Sequence, residues 1–312
     1  MSKAIYFECS SGISGDMTVA ALLDLGADAD KLNEVLKTVP VTGFKTEVTR
    51  VKKSGIDCCD FNVILDAEHE NHDHDMEYLY GHRHGHHHDH DHEHEHGHHE
   101  HHHEHDYEHH HHDEDYGHEH HHDHHHGHEH HHDHEHHHGH HHEHRGMKEI
   151  LEILEKTQMS EGARSLAIRI FEIIAAAESK AHGCPVEEVH FHEVGAVDSI
   201  VDVISIAVCF DDLGISEAII PELYEGRGSV RCQHGVLPVP VPAVLNIAEA
   251  NGLRLHIMNT EGEFVTPTGA AFAAAVGKRD LPESFSVIRT GLGAGKRETE
   301  LSGILRAMLI EY

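Results

Sequence analysis

Residues 69–144 set the first limit on this chain, because no compact domain can be built from them. Of the protein's 46 histidines, 41 fall in this stretch, with 21 Asp or Glu and a single base, Arg83. Its only aliphatic or Met side chains are Met76 and Leu79. With so little apolar surface to bury, the stretch cannot offset the entropy cost of ordering, and the sequence predicts a long disordered insertion. Neutral imidazole ligates nickel, zinc, copper and cobalt, and the acids attract cations, so the tract His69 to His144 is expected to bind such metals with high capacity and modest selectivity. Its formal charge is −20 with neutral imidazoles and would reach +21 with all 41 protonated. Since free His titrates near pH ~6.5, metal loading is expected to be lost in mild acid.

The other 236 residues carry 35 acids and 22 bases with Val, Ile, Leu and Ala throughout, enough for a real core. Three parts are expected: 1–68, an N-terminal α/β part; 69–145, the insertion; and 146–312, the remainder of the body. A net charge of −33 argues against nucleic acid and anionic membranes as partners. No run approaches the ~20 apolar residues of a membrane span. Six cysteines without CxxC spacing suit reduced thiols in the cytoplasm.

Strand-like runs alternate with helical ones, predicting an α/β (or α+β) fold with a mixed sheet and flanking helices. Strands are expected over 3–9, 44–52, 60–65, 189–194, 219–232, 263–266, 286–290 and 304–310. Helices are expected over 16–25, 30–39, 147–156, 163–181, 199–213, 240–250 and 269–277. Ser54-Gly55 reads as a hairpin turn.

Several segments carry candidate chemistry. On a strand, His190 and His192 would share a face; on the helix that follows, Asp198 and Asp202 lie four apart and share another. With Glu193 they form a candidate metal cluster, with Asp198 or Ser199 as the helix cap. A capped helix with satisfied polar groups is the plainer alternative. Cys9 is a possible transient thiolate ligand, or a small buried residue. The strand–turn–helix corner around Ser11, Ser14 and Asp16 presents backbone N–H groups to an anion, although it lacks the Lys of a Walker loop. Thr266 and Thr268 open a helix in the same way. Gly293, in the run from Gly291 to Arg297, could bring backbone and cations near a phosphate. Cys232 and His234 add one more ligand-capable pair.

Together these segments resemble the LarC-type nickel insertion proteins. The stretches that carry the resemblance are 7–17 (Phe-Glu-Cys-Ser-Ser-Gly-Ile-Ser-Gly-Asp-Met), 190–202 (His-Phe-His-Glu-Val-Gly-Ala-Val-Asp-Ser-Ile-Val-Asp), 234–240 (His-Gly-Val-Leu-Pro-Val-Pro) and 264–271 (Phe-Val-Thr-Pro-Thr-Gly-Ala-Ala). The resemblance implies delivery of nickel to pyridinium-3,5-bisthiocarboxylic acid mononucleotide, with two Ni–S bonds and one Ni–C bond formed. The product would be the nickel-pincer cofactor of lactate racemase-type enzymes. It also implies CTP hydrolysis with a divalent metal, associated with a C-terminal domain beyond Tyr312. The expected partners are therefore the mononucleotide, a separate C-terminal domain protein and a nickel-dependent client enzyme. The rival readings are a non-enzymatic nickel or zinc store or metallochaperone, and a zinc hydrolase built on His190 and His192.

Overall fold

The computed structural model describes residues 2–66, 145–191, 196–232, 234–297 and 300–312. The tract from His69 to His144, and with it His192 and Glu193, lies outside the described residues. The chain before the tract forms β1 (Lys3–Glu8), α1 (Gly15–Leu25), α2 (Ala29–Leu36), β2 (Phe44–Lys53) and β3 (Ile56–Leu65). After it come α3 (Met147–Lys156), α4 (Glu161–His182), α5 (Val197–Asp212), β4 (Ala218–Ile219), β5 (Leu223–Arg227), β6 (Ser229–Cys232) and β7 (Gly235–Pro238). The chain closes with α6 (Pro242–Asn251), β8 (Leu255–Glu261), α7 (Pro267–Val276), β9 (Gly277–Lys278), β10 (Ser286–Ala294) and β11 (Ile304–Glu311).

One mixed seven-stranded sheet runs β2-β3-β10-β11-β1-β4-β9. The segments before and after the histidine tract interleave in it. β1 lies antiparallel to β11 and parallel to β4, while β3 meets β10 in parallel. The β2–β3 hairpin turns at Ser54 and Gly55, both at positive φ, which matches the right-handed twist of its strands. β5 with β8 and β6 with β7 make two small separate ladders.

The helices bury apolar stripes on and beside this sheet. α4 is capped by Ser160, whose Oγ accepts the Ala163 N–H at 3.2 Å, and is closed by Gly183 at φ 66°. It buries Ala163, Ala167, Ile170, Phe171 and Ile174 at three- and four-residue spacing against α5. Phe272 of α7 stands edge-on to Phe7 of β1 at 5.4 Å and to Phe210 of α5 at 5.8 Å, tying sheet and helices together.

α1 lies unusually close to β10. A Cβ on Gly291 would fall 2.3 Å from the Ala21 carbonyl oxygen, and one on Gly293 2.1 Å from that of Met17. Gly293 therefore lies in a strand and admits the helix backbone, rather than sitting in a turn.

Other boundaries also differ from expectation. Val189 and His190 are in no strand; a 3-10 turn over Val186–Glu188 precedes them, and Phe191 makes only a bridge to Arg145. The 219–232 run breaks into β4, β5 and β6: Pro221 lies between the first two, and Gly228, at φ 91°, between the last two. Residues 263–266 form no strand of their own: Val265 bridges to Ile13, while the regular strand is β8, just before. α5 starts two residues earlier than predicted. Its N-cap is Ala196, so neither Asp198 nor Ser199 caps it.

The close approach is testable. Gly293→Ala must push α1 off β10, and overpacking of this kind costs about 1–3 kcal/mol. Urea unfolding should show that loss; an unchanged midpoint would mean that the contact yields freely.

Candidate functional site

The corner between β1 and α1 is held from two sides. Gly12, at φ 88°, leaves no room for a Cβ, which would lie 2.1 Å from the Phe264 carbonyl oxygen. Ile13 N–H donates to that oxygen at 2.8 Å, and Thr266 N–H donates to the Ile13 carbonyl at 3.1 Å. Beneath this pairing lies Glu225, fully buried. Its Oε1 accepts the N–H groups of Gly226, Phe264 and Val265 at 2.8, 2.7 and 3.2 Å. Burial still holds its carboxyl above the usual range, against the pull of those three N–H groups. Nothing in the sequence singled out Glu225, because two of its three N–H partners lie about forty residues away.

The corner delivers Asp16 to the first turn of α1, where Ser14 Oγ donates to its carboxylate. From the facing helix, Asp198 and Asp202 reach the same place. A Cβ on Gly15 would lie 2.5 Å from Asp202 Oδ2, so Asp202 packs directly on the start of α1. Its carboxylate accepts the Asp16 backbone N–H, while that of Asp198 accepts its own and that of Ser199. Each acid thus uses free N–H groups at a helix N-terminus, where the helix dipole also favours negative charge. Lys296 Nζ completes the group, 3.7 Å from Asp16 Oδ2.

The helix ends do not fully compensate for crowding and burial. Loss of water raises both carboxyls above the ordinary carboxylate range, Asp202 well above it. The charge of Asp16 adds to both shifts and Lys296 opposes them. Asp202 keeps some surface in contact with solvent, but its Oδ1 and that of Asp198 are sealed off, with no hydrogen-bond partner among the described residues. Such oxygens call for a proton or a cation. Among the described residues, no three His, Cys, Asp or Glu side chains stand ready-placed around one ion.

Other candidates are placed differently. His190 is exposed and acts on Glu149 at the start of α3. Cys9 is buried beneath the corner, with burial pushing its thiol far up, which makes a thiolate ligand costly there. Ser11 Oγ lies 3.2 Å from Ser302 Oγ. Thr266 caps α7 by accepting the Gly269 N–H at 3.2 Å, and Thr268 is buried in its first turn. The Cys232–His234 pair, Sγ to Nδ1 4.0 Å, is joined by His182, whose ring lies 5.0 Å from that of His234. His182 comes from the end of α4, and no local spacing announces it.

Beside the acids opens a cleft of about 530 Å³, lined by Lys52, Lys53 and Ser54 from the hairpin, by Asp60, and by Lys296, Arg297 and Ser302 around β10 and β11. Lys296 belongs to both the cleft and the acid group.

Comparison with known proteins shows the family. The family described as nickel insertion protein matches residues 5–312. The chain belongs to that family. It is 45% identical to the pyridinium-3,5-bisthiocarboxylic acid mononucleotide nickel insertion protein of Alkaliphilus metalliredigens, over all of this chain and 61% of that relative. The protein of the same description from Clostridium acetobutylicum is 37% identical, over 99% of this chain and 64% of its own length. A putative nickel insertion protein of Dictyoglomus thermophilum is 32% identical, over 99% of this chain and 61% of its length. The chain thus spans less than two thirds of these relatives. No solved structure matches it.

The acid group has a stability signature. Asp202 holds its proton more tightly folded than unfolded, so stability falls as pH rises from about 4, the unfolded carboxylate value, through the raised folded one. Asp202→Asn removes that loss. In metal-free protein its Tm should equal or exceed that of the unaltered chain at pH 8, with the gap closing toward pH 4. A lower Tm at pH 8 would show the carboxylate to be stabilising instead.

Proposed function

We propose that this chain inserts nickel into pyridinium-3,5-bisthiocarboxylic acid mononucleotide, the reaction for which its relatives are named. The observation that carries the reading is the convergence of two family-like segments, 7–17 and 190–202, on Asp16, Asp198 and Asp202. These acids are hard oxygen donors suited to holding a divalent ion loosely enough to pass it on. The sulfur atoms of the substrate, softer ligands, draw nickel from them. Forming the Ni–C bond replaces a ring C–H, so a proton leaves as the metal arrives. A carboxylate with a raised pKa is the better base for it, and Asp202 or Asp198 fills that role.

In this reading the chain acts as a nickel insertase of the lyase class in the cytoplasm, supplying the nickel-pincer cofactor to lactate racemase-type client enzymes. CTP and its divalent metal enter with the further C-terminal domain, in the same polypeptide or as a separate protein. The histidine tract serves as a local nickel reservoir, loaded when its imidazoles are neutral. No helix among the described residues is long and apolar enough to cross a membrane, and none of the six cysteines is in a disulfide.

The test is an insertion assay with purified chain, mononucleotide precursor, nickel and CTP, with and without the C-terminal partner. Metallated cofactor is expected in the presence of the partner. Asp198→Asn and Asp202→Asn should each slow insertion about 100-fold or more, the range of a lost general base. Deleting 69–144 should matter only when nickel is scarce. Absence of product even with the partner present contradicts the insertase reading; insertion that fails at every nickel concentration without the tract contradicts its role as reservoir.

A further inference from the structure

The cleft beside the acids has a charge pattern that the insertion chemistry has not yet used. In a chain of net charge −33, four cations line one opening of about 530 Å³: Lys52, Lys53, Lys296 and Arg297, with Asp60 the one acid among the lining residues. That volume suits a small organic ligand. Arg297 is braced by Glu263 at 3.1 Å, and Lys296 reaches Asp16 at 3.7 Å. Lys52 and Lys53 make no ion pair among the described residues, so their charges are not spent within the protein. Ser54 and Ser302 add hydroxyl groups, and the contact of Ser302 with Ser11 ties the cleft wall to the corner that carries Asp16.

The site is therefore polarised, with cations at one end and carboxylates at the other, and Lys296 between them. In the mononucleotide the phosphate is a dianion, while the ring end, a pyridinium flanked by two thiocarboxylates, is the end that takes up the metal. We infer that the cleft is the phosphate seat, and that the substrate lies with its phosphate among Lys52, Lys53, Lys296 and Arg297 and its ring toward Asp16, Asp198 and Asp202. The inference rests on the mononucleotide reading above. This orientation pairs the phosphate with the cations and brings the thiocarboxylates and the carbon to be metallated to a nickel ion that the acids would hold. Lysines supply point charges for phosphate oxygens, and Arg297, its guanidinium held by Glu263, adds positive field at the cleft wall.

Calorimetric titration of the full chain tests it, with nicotinate mononucleotide, inorganic phosphate and CTP as separate probes. The double variant Lys52→Ala/Lys53→Ala changes one exposed and one half-buried hairpin position, and its fold is checked by thermal melting. The expected result is binding of nicotinate mononucleotide that weakens about tenfold or more in the double variant and recovers in Lys52→Arg/Lys53→Arg, with a shallower salt dependence on loss of the lysines. Mononucleotide binding that is indifferent to both lysines overturns the seat and leaves the insertion reading standing. Lysine-dependent binding of phosphate without binding of the mononucleotide keeps an anion seat and removes the substrate assignment. Lysine-dependent binding of CTP alone overturns the proposed occupant.

Discussion

Everything at this site depends on how two helix N-termini share a pair of poorly hydrated carboxylates. α1 and α5 begin face to face, and the Asp202 side chain fills the gap, resting on Gly15 and accepting the Asp16 N–H. A charge placed there costs free energy through lost hydration and through repulsion from Asp16. The helix dipoles and Lys296 repay only part of that cost. The remainder gives the site an affinity for any cation that can enter, whether a proton or a metal ion. In the proposed reaction, reversible holding of nickel and acceptance of a proton from carbon would both express this imbalance.

The rest of the fold can be understood as support for that encounter. Gly291 and Gly293 let α1 sit down on β10, fixing its depth. The Gly12–Phe264 contact and the Glu225 carboxylate lock the corner that begins α1. The long apolar stripe of α4 backs α5 from behind. Three stretches that are remote in sequence, near residues 12, 200 and 265, are thereby held in one place. The cationic loop after β10 then brings Lys296 over the acids and opens the cleft.

Much of this was legible from residue order. The hairpin at Ser54-Gly55, the Ser160 cap and Gly183 stop of α4, and the four-residue spacing of Asp198 and Asp202 are local signals with local causes. So was the α/β class, since strands alternate with helices along the body. What escaped was whatever depends on long-range register. Residues 263–266 look like a strand by composition, yet they serve as a bridge to Ile13, because Glu225 takes two of their N–H groups. Gly293 looks like a phosphate-turn glycine but is a packing glycine. Asp198 looks like a cap, but the helix starts just before it, and its carboxylate turns back on its own first turn. Lys52 and Lys53 gain meaning only once β3 is seen to neighbour β10. The histidine tract, the loudest signal in the sequence, is expected to set how much nickel is at hand rather than where it reacts.

The most direct measurement is to locate the metal. A crystal of the chain lacking 69–144, soaked with one equivalent of nickel at pH 8 and measured across the nickel absorption edge, should show an anomalous peak among Asp16, Asp198 and Asp202. Nickel bound instead at His190, or between His182, Cys232 and His234, with the aspartates empty, would contradict the account.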